Sequence, residues 1–274
     1  MDAGAGIAIG KEAPQAFTAG APLGVTFQRP EQYRYYGPDE DSDLGMAEGK
    51  LFRRMNELEG EASGSSIGGL SGSTRRPQGG SPLGVLERSA RDAPVAADRV
   101  IDLAGTRSNR SDYPASRLGN DLQTVSRLIA GGRPTRIYYV SLGGFDTHTN
   151  QAATHQRLLT EFGDAMAAFL KDMEQQGNLD RVLVLTFSEF GRRVKQNGSG
   201  GTDHGAGAPL FVFGGKVKAG LHGEAPDLAP DALHRGDVVH RVDFRSVYAT
   251  LLERHLGADS AEVLGWKFPG VDLL

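Results

Sequence analysis

Val182–Phe187 reads VLVLTF, Arg136–Leu142 reads RIYYVSL and Pro209–Phe213 reads PLFVF. None of these runs alternates polar with apolar residues, as a strand with one face in water would. Continuous apolar runs of this length mark strands buried on both faces, and such strands belong mostly to parallel sheets covered by helices. Between the first two lies 152–176, where Leu158, Phe162, Ala165, Met166, Phe169 and Met173 recur at three- and four-residue spacing. That is the stripe of an amphipathic helix, and Gly177 and Asn178 supply its stop. Helix is also expected over 116–130, on the face of Leu118, Leu122, Val125 and Ile129, and from an N-cap at Asp243 through Val247 and Leu251. The fold class this implies is α/β, with a mainly parallel central sheet, in which ligands collect beyond the carboxyl ends of strands.

The first part of the chain carries less pattern. Pro14, Pro22, Pro30 and Pro38 break regular structure over 1–40, so that stretch reads as irregular. Helical character is expected over 44–58 and 84–105, separated by a Ser/Gly-rich flexible loop at about 60–84. Residues 1–110 thus read as an irregular and helical part of the same domain, and 111–274 as its α/β core.

Composition removes several functions. A net charge of -4 gives no excess of Lys and Arg for neutralising phosphates, which argues against a nucleic-acid partner. With no cysteine, disulfides, thiolate metal sites and cysteine nucleophiles are excluded. No apolar run approaches the ~20 residues that span a bilayer, and MDAGAGIAIGKEAPQAF lacks the regions of a signal peptide.

Two loops carry the chemistry. Gly143–Gln151 reads GGFDTHTNQ, directly after one expected strand, and Gly201–Gly205 reads GTDHG. Carboxylate oxygens and neutral imidazoles are good ligands for zinc, manganese or iron, so Asp146, His148, Asp203 and His204 form a candidate metal set. The plainer alternative is a pair of surface turns with exposed histidines. His155, at the start of the long helix, and His222, in GLHGEAP, are further candidate ligands. His234, His240 and His255 read as surface residues. In SEFGRR, Glu189 is a candidate outer partner of a metal ligand and Arg192 or Arg193 a candidate anion holder; Glu189 and Arg192 are the candidates for a catalytic role. Thr147, Thr202 and Ser188 are candidate nucleophiles without a base placed by spacing. Two decoys fail. Gly64–Gly68, GSSIG, lies in low-complexity sequence rather than in a strand–turn–helix. Asp39, Asp41 and Asp43 are followed by Leu44 and Lys50 where a calcium loop needs glycine and glutamate.

Taken in order, YPASRLGNDLQTVSRLIAGG, RIYYVSLGGFDTHTNQ, VLVLTFSEFGRRVKQN, GTDHG, GLHGEAPDL and DFRSVYATLLE resemble the bacterial "domain of unknown function 1501" proteins, strongly over 110–257 and more loosely before it. These are sulfatase-like members of the alkaline phosphatase superfamily. The resemblance implies a three-layer α/β sandwich and two divalent ions, zinc or manganese. Asp146 and His148, with His155 or His222, would serve one ion, and Asp203 with His204 the other. It implies metal-dependent hydrolysis of a phosphate or sulfate ester, on a small or polymeric anionic substrate, by an exported protein. The alternative is a non-catalytic exported binding or structural protein that keeps the fold. The resemblance further implies a first strand and an aspartate-bearing loop before the residues seen here. Their absence leads to the expectation of a truncated member with reduced activity.

Overall fold

The computed structural model describes residues 6–11, 13–17, 24–28, 108–132 and 135–274. The expected helices at 44–58 and 84–105, the Ser/Gly loop and both decoys lie outside the described residues. The chain divides into two compact units. One comprises Met1–Asn109 with Asp121–Ser141, the other Arg110–Asn120 with Leu142–Leu274.

The first unit holds a three-stranded parallel sheet in the order β2-β1-β3, where β1 is Gly6–Ile9, β2 Gly24–Phe27 and β3 Ile137–Val140. All four residues of β1 are buried, as a central parallel strand requires. The reading of 1–40 as irregular is therefore corrected at 6–9 and 24–27. Its prolines fall outside β1 and β2, and strands of only four residues, GIAI and GVTF, give a pattern search little to detect. Helix α1, Arg117–Ala130, follows the expected face, with Leu118, Leu122, Val125, Leu128 and Ile129 buried.

The second unit is built on α2, Gln151–Gln175. Its buried stripe includes Leu158, Ala165, Met166, Phe169 and Met173, the spacing legible in the sequence. Gly177, at φ 72°, closes it: Gly177 N–H donates to Glu174 O, and Asn178 N–H to Met173 O. This is a Schellman ending, which a glycine at that position makes cheap. The apolar runs of the second half become β4, Val184–Leu185, and β7, Val212–Phe213, which pair antiparallel. The expectation that they join β3 in one parallel sheet is corrected: β3 pairs in parallel with β1 in the first unit, and β4 pairs with β7. An apolar run reports burial on both faces and carries no information about direction or partner. Two further short strands, β5 (Gly191–Arg192) and β6 (His204–Gly205), also pair antiparallel.

Helix α3, Phe244–Leu251, starts at Asp243, whose carboxylate accepts from Arg245 N–H as expected of an N-cap. Its Val247 and Leu251 bury with Leu273, against Leu183, Leu185, Leu210 and Val212 around β4 and β7. Each such aliphatic side chain contributes roughly 1.5–3 kcal/mol on full burial. Elsewhere in this unit Phe162 of α2 lies 6.1 Å from both Phe211 and Phe213, ring centre to ring centre. A short helix α4, Ser260–Leu264, follows. The described residues are a mixed α/β arrangement with one small parallel sheet.

Candidate metal centre

The two Asp/His loops meet because glycines and one asparagine let them. Gly201 lies so close to the first loop that a Cβ there would come within 2.2 Å of the His148 carbonyl carbon. Gly191 and Gly205 are equally tight, against the backbones of Gly207 and Arg192 at 1.9 Å and 2.6 Å. A Cβ at any of the three would force the facing backbone to shift, which favours glycine there. Asn197 staples the contact: its Nδ2 donates to His148 O at 3.0 Å, and its Oδ1 accepts from Ser199 N and Gly201 N at 2.9 and 3.0 Å. Backbone bonds from Gln151 N to Gly200 O (3.0 Å) and from Thr202 N to Thr147 O (3.4 Å) complete the seam.

That seam brings three side chains able to ligate a metal to one point. His204 Nε2 lies 2.8 Å and His148 Nε2 3.0 Å from Asp146 Oδ1. The three ligand atoms all lie within 4.8 Å of one another. The His148 and His204 rings stand 5.1 Å apart, and Phe190 stacks on His204 at 3.9 Å with planes 3° apart, holding the imidazole flat. The hydrogen bond from His204 holds the Asp146 carboxyl below its usual pKa. Desolvation opposes this, and the charges of His204, His148 and Arg192 add to it. Asp146 is thus an anion at neutral pH, as a ligand must be.

The donor set fits a divalent ion. One carboxylate oxygen and two imidazole nitrogens suit zinc or manganese, and three protein ligands leave positions open, as hydrolytic sites do. Ligand atoms about 2.1 Å from a tetrahedral ion stand about 3.4 Å from each other. The hydrogen-bonded separations here are slightly shorter, and all three side chains are exposed enough to adjust.

The remaining candidates fall around this group rather than in it. Asp203 Oδ1 lies 3.5 Å from His148 Nδ1, the nitrogen opposite the one facing Asp146. With an ion on Nε2, a carboxylate there would accept the proton of Nδ1. Asp203 lies beside the cluster of Asp146, His148 and His204, and its neighbour His204 belongs to that cluster. His155 stands outside the triad, its Nε2 being 2.9 Å from Thr147 Oγ1. His222 is also outside, its Nε2 bound to Lys218 O at 2.8 Å. Arg192 is half-buried and turned inward: it donates to Thr202 O at 2.7 Å and to Phe145 O, and stands 3.5 Å from Asp146 Oδ1. Arg193 pairs with Asp237 at 3.6 Å, and Glu189 is exposed and outside the triad. The hydroxyls of Thr202 and Ser188 donate to Gln151 Oε1 (2.8 Å) and Phe190 O (3.0 Å). Sequence reasoning missed Phe190 and Asn197. Phe190 sits inside the quoted SEFGRR, but a ring stacked on a histidine from another loop leaves no periodic signal. Asn197 in QNGSGG had a turn-forming context and nothing to name its partner.

No helix among the described residues is long and apolar enough to cross a membrane. No curated protein and no solved structure matches the chain. A family model described as "Protein of unknown function (DUF1501)" matches residues 92–265, more than half of the chain and all of the candidate metal centre. The chain belongs to the DUF1501 family.

Proposed function

We propose that Asp146, His148 and His204 hold a divalent metal ion, zinc or manganese, and that the protein hydrolyses phosphate or sulfate esters. The observation that carries this reading is the convergence of ligand atoms from two loops far apart in sequence to within 4.8 Å, with glycines where side chains would block it. An ion there would supply a Lewis acid toward an ester oxygen. The chain's own part is to keep Asp146 ionised, to orient His148 through Asp203, and to hold His204 flat against Phe190. The exposed rim of the triad leaves room for an anionic ester to approach. An alkaline-phosphatase-like three-layer sandwich, and export of the protein, belong to the same proposal and rest on the motif resemblance.

A second reading, an ion-holding binding protein without turnover, has its own support. The three candidate nucleophiles all have engaged hydroxyls, and Thr147 is only 6% exposed. The experiment is metal loading followed by a screen of aryl phosphates and aryl sulfates. Turnover that disappears in Asp146→Ala while the protein stays folded supports the enzyme. Stoichiometric metal without turnover on any of these esters supports the binding protein.

A further inference from the structure

Thr147 lies between two members of the triad, yet its side chain goes the other way. Asp146 and His148 are exposed, whereas Thr147 is 6% exposed. Its Oγ1 sits 2.9 Å from His155 Nε2 and 3.4 Å from Phe145 O. His155 is near the start of α2, and its ring meets Phe145 edge-on at 5.5 Å and 63°. Phe145 in turn accepts Arg192 on its carbonyl, and Thr147 O accepts from Thr202 N at 3.4 Å. One histidine on a rigid helix therefore grips both Phe145 and Thr147, the residues on either side of Asp146.

We infer that His155 is a positioning residue that fixes the Asp146–Thr147–His148 turn through the Thr147 hydroxyl, an inference that rests on the metal reading above. A hydroxyl bonded to an imidazole is also the arrangement of a nucleophile and its base. Burial separates the two: a nucleophile must meet its substrate, and Thr147 Oγ1 faces the helix. A clamp gains from being buried, since the bond is then shielded from competing water.

Four single variants and one double variant test this, each read by calorimetric titration with Zn2+ or Mn2+ alone and by amide hydrogen exchange of the metal-free protein. His155→Leu and Thr147→Val remove the bond. They are expected to weaken metal binding about 10–100-fold, the usual loss for an outer partner, and to speed exchange across 145–150. His155→Gln places an amide near the position of Nε2, and Thr147→Ser keeps the hydroxyl; both are expected to stay close to wild type. The double variant, which combines His155→Leu with Thr147→Val, is expected to be no weaker than either single change, because both act on one bond. Should wild type bind and His155→Leu bind equally with unchanged exchange, the clamp is overturned and the metal reading stands. Should wild type bind no metal, the metal reading fails, and unaltered exchange in His155→Leu rejects the clamp separately. A phosphorylated Thr147 recovered after reaction with an aryl phosphate would replace the clamp with a nucleophile.

Discussion

Asp146 is the residue on which His148 and His204 converge, and each side chain around it has a distinct place. His204 and His148 face its Oδ1, Asp203 stands behind His148, and Phe190 lies against His204. His204→Ala is expected to cost more than the 10–100-fold in metal affinity typical of outer partners, measured by competition with a chelating dye. Asp203→Asn, by contrast, is expected to stay within that range. Gly201→Ala drives a methyl into the His148 backbone and is expected to destabilise the protein by about 1–3 kcal/mol, with metal affinity falling too, by denaturant melts and titration. The meeting of the two loops at the candidate centre was partly legible, because glycines beside Asp/His pairs announce tight loops. That His204 rather than Asp203 stands against Asp146 was not, since spacing alone cannot say which neighbour makes the contact. Nor could it show that Arg192 spends its guanidinium on the carbonyls of Phe145 and Thr202.

At the scale of elements, α2 and α3 do most of the organising. The end of α2 is tied by Asp172, a fully buried carboxylate that accepts from Arg110 N, Tyr113 Oη and Gln176 Nε2, each at 3.0 Å. Asp172→Ala leaves those donors without their acceptor and is expected to cost about 3 kcal/mol, read by denaturant titration. The N-cap of α3 supplies a pH signature. Hydrogen bonds from Arg245, first its side chain and then its backbone N–H, lower the Asp243 carboxyl to about 2. A carboxyl depressed in the folded state contributes stability above its unfolded pKa, about 3.9, and loses it as pH falls toward the folded value. The melting-temperature gap between wild type and Asp243→Ala is therefore expected to be constant above about pH 5 and to narrow from about pH 4 toward 2. A gap that has not narrowed at about pH 2.5 contradicts the assignment. Helix periodicity and Asp243 were readable because a stripe and a cap are local. The pairing of β4 with β7, and of β3 with β1, depends on partners distant in sequence, which a short apolar run cannot encode.

For the whole molecule, the family match covers 92–265, while β1 and β2 lie before it and supply two of the three strands of the parallel sheet. Removing residues 1–28 leaves β3 without a partner strand among the described residues, so that variant is expected to melt lower and to aggregate on heating. Metal should act as any ligand of the folded state does: at about a hundred times its dissociation constant it is expected to add about 2.7 kcal/mol. Protection from amide exchange would concentrate at 143–150 and 197–205. The most direct test of the central claim is metal content by elemental analysis after loading with zinc or manganese and gel filtration, for wild type and for Asp146→Ala with His204→Ala. Wild type is expected to hold bound metal in stoichiometric amount and the double variant none. Equal metal in both, or none in wild type, would contradict that claim.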